Sequence, residues 1–233
     1  MRVEDQPAYV LHLRPYRDTS ALVDLLTPDY GRLSVVVRGV RKSKSPKRQL
    51  LNPFHGLLIS FQGEGELKLL TQFESNQRFF NLQAAHLYSG FYINELIVRL
   101  LPEMDAHNDL FSLYESSIHA LHQQEDIEPI LRRFEFRLLM ELGYAIDFQV
   151  DAIEQQPIKP NQLYRCDLER GFITLPQGED SSAGFSGEDL LAIATDNYTQ
   201  LTTRRAAKQL TRYLLGPLLG KKPLKSRELF FSK

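Results

Sequence analysis

The chain has 233 residues, 42% of them hydrophobic, 24% charged and none Trp, which suits one large or two ordinary domains with a real buried core. Its formal charge of -1 is a cancellation: residues 1–80 hold 12 Lys and Arg against 8 Asp and Glu, residues 81–200 hold 7 against 20, and residues 201–233 hold 9 against 1. Two basic ends therefore flank an acidic middle and point to a polyanion partner for the ends, while a lone Cys166 excludes an internal disulfide or a multi-cysteine zinc site. The start, MRVEDQPAYV, has acids where a signal peptide needs a basic and then apolar run, and no apolar stretch approaches the ~20 residues that span a bilayer. A cytoplasmic protein with no membrane partner is the expectation.

Residues 8–74 predict five short strands. Ala8–Arg14 alternates Tyr9, Leu11 and Leu13 against Val10, His12 and Arg14. Ala21–Leu26 follows, and Thr27-Pro28-Asp29-Tyr30-Gly31 is a turn with its breakers in place. In Gly31–Arg38, Leu33, Val35 and Val37 point one way and Arg32, Ser34, Val36 and Arg38 the other. The period then stops: Arg38, Arg41, Lys42, Lys44, Lys47 and Arg48 place six cations in eleven residues without an acid, and Ser43, Ser45 and Pro46 predict a loop rather than a helix. Such a tongue either grips phosphates, releasing their condensed counterions, or is a solvated loop that only aids solubility. Leu57–Gln62 and Glu66–Phe73, joined through Gly63-Glu64-Gly65, complete the set.

Five strands turned by Gly and Pro fit a closed barrel better than an open sheet with edges to protect. The specific candidate is an OB-fold over residues 1–80, whose strands 2–3 and neighbouring loops form a groove for single-stranded nucleic acid. Arg32 and Arg38 lie on the non-core face of the third strand, and Arg14, Tyr16 and Arg17 flank the first connection. Tyr16 is either a base-stacking platform or packing on the barrel rim.

From Leu82 the period becomes helical, so residues 81–233 read as a mostly helical domain and the fold class as α+β. Leu82–Leu101 is apolar on most faces, a buried central helix ended by Pro102. Asn108 or Asp109 starts the next, with Phe111, Tyr114, Ile118 and Leu121 on one stripe; Ile127–Leu142 is a third, stopped by Gly143. Residues 144–185 lose the helical period and form an insertion, with a hairpin in QLYRCDLERGFITLP and a Gly/Ser loop over Gln177–Phe185. Ser186 caps a helix over Gly187–Asn197, and Thr202 or Thr203 caps the last long one, to Leu215 before Gly216-Pro217. On that helix Arg204, Lys208 and Arg212 recur at i, i+4 and i+8 beside Arg205, roughly 6 Å apart, and the tail adds Lys221, Lys222, Lys225 and Arg227. The row either meets phosphates or docks on the chain's own acidic middle; its apolar stripe holds too few large residues for a membrane surface.

Inside the acidic middle, Leu131-Arg132-Arg133-Phe134-Glu135-Phe136-Arg137 sets three arginines among Phe and Leu. Arginine beside exposed apolar surface captures a short acidic-aromatic peptide by bidentate bonds to carboxylate, but spacing alone favours pairing with Glu128 and Glu141. Signals for catalysis are poor. Gly63-Glu64-Gly65-Glu66 lacks the helix and lysine of a phosphate loop, and Glu115, His119 and His122 share a helix face without an HExxH pattern. The acids of 103–154 are not spaced for two-metal chemistry, and nothing activates Cys166. No catalytic residue, metal or cofactor is assigned.

In AYVLHLRPYRDTSALVDLLTPDYGRLSVVVRGVRKSKS, LYSGFYINEL, LRRFEFRLL…LGY and the tail GPLLGKKPLKSRELF, the chain resembles the RecO family of bacterial DNA-repair recombination mediators over nearly its whole length. The resemblance implies an N-terminal OB-fold and a helical domain, binding of single- and double-stranded DNA, annealing of complementary strands, and help in loading RecA onto coated single strands. The partners it implies are RecR and the acidic C-terminal tail of single-stranded DNA-binding protein, with RecA acting indirectly. That tail would dock at Arg132 or Arg133, which match the family's paired arginines. Many members carry a four-cysteine zinc module after the third helix; with only Cys166 here, a hairpin without metal is expected. From the residues alone, an OB-fold RNA-binding factor in translation or RNA processing and a metal-dependent nuclease or nucleotidyl enzyme remain the other readings.

Overall fold

The structure, a computed structural model, describes residues 1–40, 46–65, 67–176 and 184–230, with backbone only at 46 and 47. Five strands, β1 (Arg2–Tyr16), β2 (Ser20–Thr27), β3 (Gly31–Val37), β4 (His55–Gln62) and β5 (Lys68–Phe79), close into a barrel in the order β1-β2-β3-β5-β4. All pairs are antiparallel except β3–β5, which meet in parallel at Val35↔Lys68 and Val36↔Leu69. This is the five-stranded OB-fold. The alternating residues read from the sequence fill it: Val10, Val23, Leu25, Leu33, Val35, Leu57, Ile59 and Phe61 are buried together.

The short helix α1 (Pro46–Leu50) lies between β3 and β4, where the sequence predicts a loop. Pro46 opens it: a proline at the first helical position gives up an N–H that has no intrahelical partner anyway. Helices α2 (Ala84–Leu100), α3 (Asn108–His122) and α4 (Ile127–Glu141) follow. After them come a small sheet of β6 (Leu163–Asp167), β7 (Gly171–Thr174) and β8 (Phe185–Ser186), then α5 (Gly187–Ala194), α6 (Leu201–Leu219) and α7 (Lys225–Glu228). Two caps appear as expected. Gly143 takes φ +84° beyond α4, and Ser186 Oγ accepts from Asp189 N at the start of α5. Helix α6, by contrast, starts after Gln200 and runs through Gly216-Pro217 to Gly220. Pro217 lies in the last turn, where it gives up one i→i−4 bond, and Gly216 before it lacks the Cβ that a proline ring crowds.

The chain divides into two compact units, Met1–Ile127 with the segment from Pro223, and Glu128–Lys222. In the first, α2 packs on β1 and α3 on β2. Between Val10 and His12, β1 carries one residue more than β2 opposes, a bulge that takes the Leu11 carbonyl out of the ladder. Asn94 Nδ2 of α2 donates to that carbonyl at 2.8 Å, and Asn94 Oδ1 accepts from the Tyr114 hydroxyl of α3 at 2.9 Å. Asn94 is buried, so these bonds replace the water it has lost. In the second unit, buried Asp151 accepts from the backbone of Ile153, Glu154 and Thr174 and from the Thr174 hydroxyl, holding the insertion to its hairpin.

The C-terminal segment is tied to α2 by one carboxylate. Glu95 accepts from Lys225 N at 3.0 Å, Ser226 N at 2.8 Å and the Ser226 hydroxyl at 2.7 Å. Burial pushes the Glu95 carboxyl up, but these bonds and the Arg99 charge outweigh it and hold it below the usual range. A carboxyl depressed in this way adds stability above its unfolded pKa of ~4.3 and loses it as pH falls through the lower folded value. Hydrogen exchange should therefore show the Lys225 and Ser226 amides protected at neutral pH and released under acid, and Glu95→Gln should release them at neutral pH while the barrel amides stay protected.

Candidate nucleic-acid interface

The barrel register gathers cations at one end. Arg14 lies opposite Leu22 and Leu22 opposite Val36, so β1 ends, β2 begins and β3 exits together. Arg14, Arg17 and Arg38 emerge there, all exposed, with β1 and β3 roughly 10 Å apart across the intervening strand. The Arg17 guanidinium stands 5.2 Å from the Tyr16 ring centroid, a cation–π contact at the rim. Below them Asp24 is buried, 2.6 Å from Ser34 Oγ and 3.6 Å from His12 Nδ1. Burial raises the Asp24 carboxyl, but the neighbouring His12 imidazole, the hydrogen bond from Ser34 and the charge of Arg14 hold it below the usual range. Arg48 is exposed on α1; Arg41, Lys42 and Lys44, and the Lys47 side chain, lie outside the described residues.

Arg32 does not join this group. Its Nε donates to the Leu101 carbonyl at 2.9 Å and its Nη1 to Glu103 Oε1 at 2.9 Å. The reason is a covering segment: Met104 N donates to the Arg32 carbonyl at 2.8 Å, and a Cβ on Gly31 would overlap the Asp105 carbonyl. Alternation places Arg32 off the core but cannot say what lies over it. β2 is buried along its whole length, so the outer face of β2–β3 is not the open groove expected from the sequence. The exposed cations stand at the barrel end instead.

The C-terminal row also divides. In the second unit, Lys208 Nζ donates to Glu128 at 2.6 Å and Arg204 Nε donates to the Tyr198 carbonyl, so two members of the i, i+4, i+8 row serve the fold. Arg205, Arg212, Lys221 and Lys222 are exposed. Lys225 and Arg227 belong to the first unit, also exposed, with the Arg227 guanidinium 6.0 Å from the Tyr92 ring centroid. Counted by unit, the sequence holds 16 basic and 16 acidic residues in the first and 12 and 13 in the second. Neither unit is basic as a whole, so any hold on a polyanion depends on which cations stay exposed.

On α4 the adjacent arginines separate. Arg132 is 4% exposed. Its Nη1 donates to Thr211 Oγ1 at 3.0 Å and lies 3.0 Å from Glu135, with Glu128 3.7 Å from its Nε. It cannot reach a partner. Arg133 is half-exposed and donates to Asp196 at 3.2 Å. It rims a cavity of about 240 Å³ with Arg137, Met140, Tyr144 and Tyr198, over an apolar floor that includes Phe136, Phe148, Ile193 and Leu214. Burial and the Asp196 charge raise the Tyr198 phenol well above its ordinary range, so it stays neutral. Phe148, Ile193, Asp196 and Tyr198 were not legible as site residues, since no spacing links them to α4.

Other candidates are absorbed by the fold. Glu115 accepts from the Tyr9 hydroxyl at 2.7 Å and pairs with Arg78, while His119 and His122 stand edge-on to Phe80. Burial and Asp167 push the Cys166 thiol up to about 12, leaving it protonated at neutral pH. Among the described residues, no helix is long and apolar enough to cross a membrane and no cluster of His, Cys, Asp or Glu could hold a metal ion.

A cation-tipped OB barrel joined to a second unit with an arginine-rimmed apolar cavity marks a multidomain OB-fold protein. The family patterns described as Recombination protein O N terminal and Recombination protein O C terminal match residues 1–79 and 82–228, and the chain belongs to the RecO family. It is 58% identical over 230 residues to the DNA repair protein RecO of Cellvibrio japonicus, covering 99% of this chain and 98% of that one. The DNA repair proteins RecO of Pseudoalteromonas atlantica (46% identical, 99% and 95% covered) and Alteromonas mediterranea (42%, 97% and 96%) are similar along their length. The two patterns meet near residue 80, whereas α2 and α3 pack with the barrel.

Removing one partner of a buried ion pair costs about 3–5 kcal/mol because the other charge stays buried, whereas an exposed pair contributes about 0–1 kcal/mol. Urea denaturation should therefore show Arg132→Ala destabilised by several kcal/mol through Glu135, and Arg133→Ala within about 1 kcal/mol of the parent.

Proposed function

We propose that this chain is a non-catalytic recombination mediator in DNA repair: it binds single- and double-stranded DNA, anneals complementary strands, and assists RecA loading onto strands coated with single-stranded DNA-binding protein. The observation that carries this is the cluster of exposed arginines, Arg14, Arg17 and Arg38, at the end of a barrel whose other face is covered; family membership supplies the repair context. Cations that meet two backbones at once neutralise the phosphates that keep strands apart, so pairing proceeds without a covalent step. Arg48, the basic residues 41–47, Arg205, Arg212, Lys221, Lys222, Lys225 and Arg227 extend the proposed contact; Arg32, Arg204 and Lys208 are left out because the fold uses them. RecR is a proposed partner on family grounds alone.

The acidic tail of single-stranded DNA-binding protein is proposed to enter the cavity beside α4, with its apolar side chains on Phe136 and Phe148 and a carboxylate on Arg133, helped by Arg137. Asp196 already holds Arg133 and must yield to the incoming acid. Annealing of complementary strands coated with single-stranded DNA-binding protein tests both parts. The chain should accelerate annealing of coated strands, and deletion of the acidic tail should abolish the gain while naked strands still anneal. Arg133→Ala should bind the tail peptide about tenfold more weakly, the lower end of a charged hydrogen bond, with affinity for naked DNA unchanged. No acceleration with either coat would sink the mediator reading.

A further inference from the structure

Phe79 ends β5 with 51% of its surface exposed. Its ring is stacked on the His55 imidazole, with centroids 4.2 Å apart and planes 30° from parallel; the two residues are cross-strand partners. The apolar needs of this region are met by its neighbours. Phe80 is buried against Tyr9, His119 and His122, and Phe54 is buried against Phe91. Phe79 is left outside.

A specific backbone device puts it there. Between Leu57↔Ser75 and His55↔Phe79, β4 contributes one residue, Gly56, and β5 three, Asn76, Gln77 and Arg78. Gln77 takes φ +66°, Ser75 Oγ accepts from Gln77 N at 3.1 Å, and Asn76 Oδ1 accepts from Arg78 N at 3.0 Å. A Cβ at position 56 would stand 2.3 Å from Asn76 Oδ1, so a larger residue there would displace the side chain that accepts from Arg78 N. Bulges re-aim side chains next to functional sites, and this one turns an aromatic ring to solvent.

Cations lie on both sides in sequence. Turns bonded from Leu51 N to the Arg48 carbonyl and from His55 N to the Asn52 carbonyl carry the chain from α1 to His55, and Arg78 adjoins Phe79. Glu115 of α3 pairs with Arg78 and accepts from the Tyr9 hydroxyl, so Arg48 is the cation left to a ligand here.

We propose that the His55–Phe79 stack is a platform for one nucleobase of a single strand whose phosphates are held by Arg48 and the exposed arginines at the barrel end. The proposal rests on the DNA-binding reading above. Every base offers a π-face, so the contact is sequence-tolerant, as a factor that handles any strand requires. An aromatic protein side chain is the competing occupant.

The chain has no Trp, so Phe79→Trp introduces a single indole reporter at the platform. An oligothymidine should quench its fluorescence strongly, and an abasic oligonucleotide of equal length should not. In parallel, Phe79→Ala should bind oligothymidine about tenfold more weakly than the parent and the abasic strand equally well. Equal quenching by both strands, or unchanged oligothymidine affinity in Phe79→Ala, overturns the platform while leaving backbone binding intact. A parent protein that binds neither strand overturns both the platform and the reading beneath it.

Discussion

A cation can serve a partner only if its own fold has not already taken it, and that constraint governs this chain. Arg32 is held by Glu103 and the Leu101 carbonyl, Arg132 by Glu135 and Thr211, Lys208 by Glu128, and Arg204 by the Tyr198 carbonyl. Arg132 and Glu135 are both buried, and leaving either charge without the other would cost several kcal/mol; the partly exposed pairs contribute less but still occupy their cations. What remains exposed, including Arg14, Arg38 and Arg48 on the barrel unit and Arg205 and Arg212 on α6, is a selection made by tertiary contacts. Because acids and bases nearly balance in each compact unit, this selection creates whatever positive field exists.

The same contacts decide which surface of the OB barrel is open. The bulge at Leu11 offers a carbonyl, Asn94 takes it, and Tyr114 completes the chain of bonds, so α2 and α3 are fixed over β1 and β2. With β2 buried on both faces and residues 101–105 lying across β3, the barrel presents its strand ends and connections rather than its flank. Glu95 then returns the chain's terminal segment, with Lys225 and Arg227, to the barrel unit. Residues more than a hundred positions apart thus share one compact body.

How far the sequence could be read follows from the range of the forces involved. Strand centres were legible because period-2 alternation is local, and their ends were not. β1 starts six residues before Ala8, because Arg2–Pro7 pairs with β4 through backbone bonds around a bulge at Asp5, and β5 continues past Phe73 through the bulge at 76–78 that erases alternation. The Ser186 cap was readable because its bond spans three residues; the Thr202 or Thr203 cap was not borne out, and the Thr203 hydroxyl bonds Asp189 instead. Adjacent helical residues point about 100° apart, so Arg132 and Arg133 meet different surroundings, but only the packing of Thr211 and Glu135 shows that Arg132 is the buried one. The cavity's other wall, Asp196 and Tyr198, is brought to α4 by tertiary folding and left no local trace.

The most direct test compares exposed and spent cations through the salt dependence of oligothymidine affinity. Each phosphate contact contributes a slope of about 0.7 in log K against log salt for a single strand. Arg38→Gln with Arg48→Gln should lower the slope by about 1.4, whereas Arg204→Gln with Lys208→Gln should leave it as in the parent. An unchanged slope in the first pair, or an equal loss in the second, would contradict the claim that exposure selects the phosphate-binding residues.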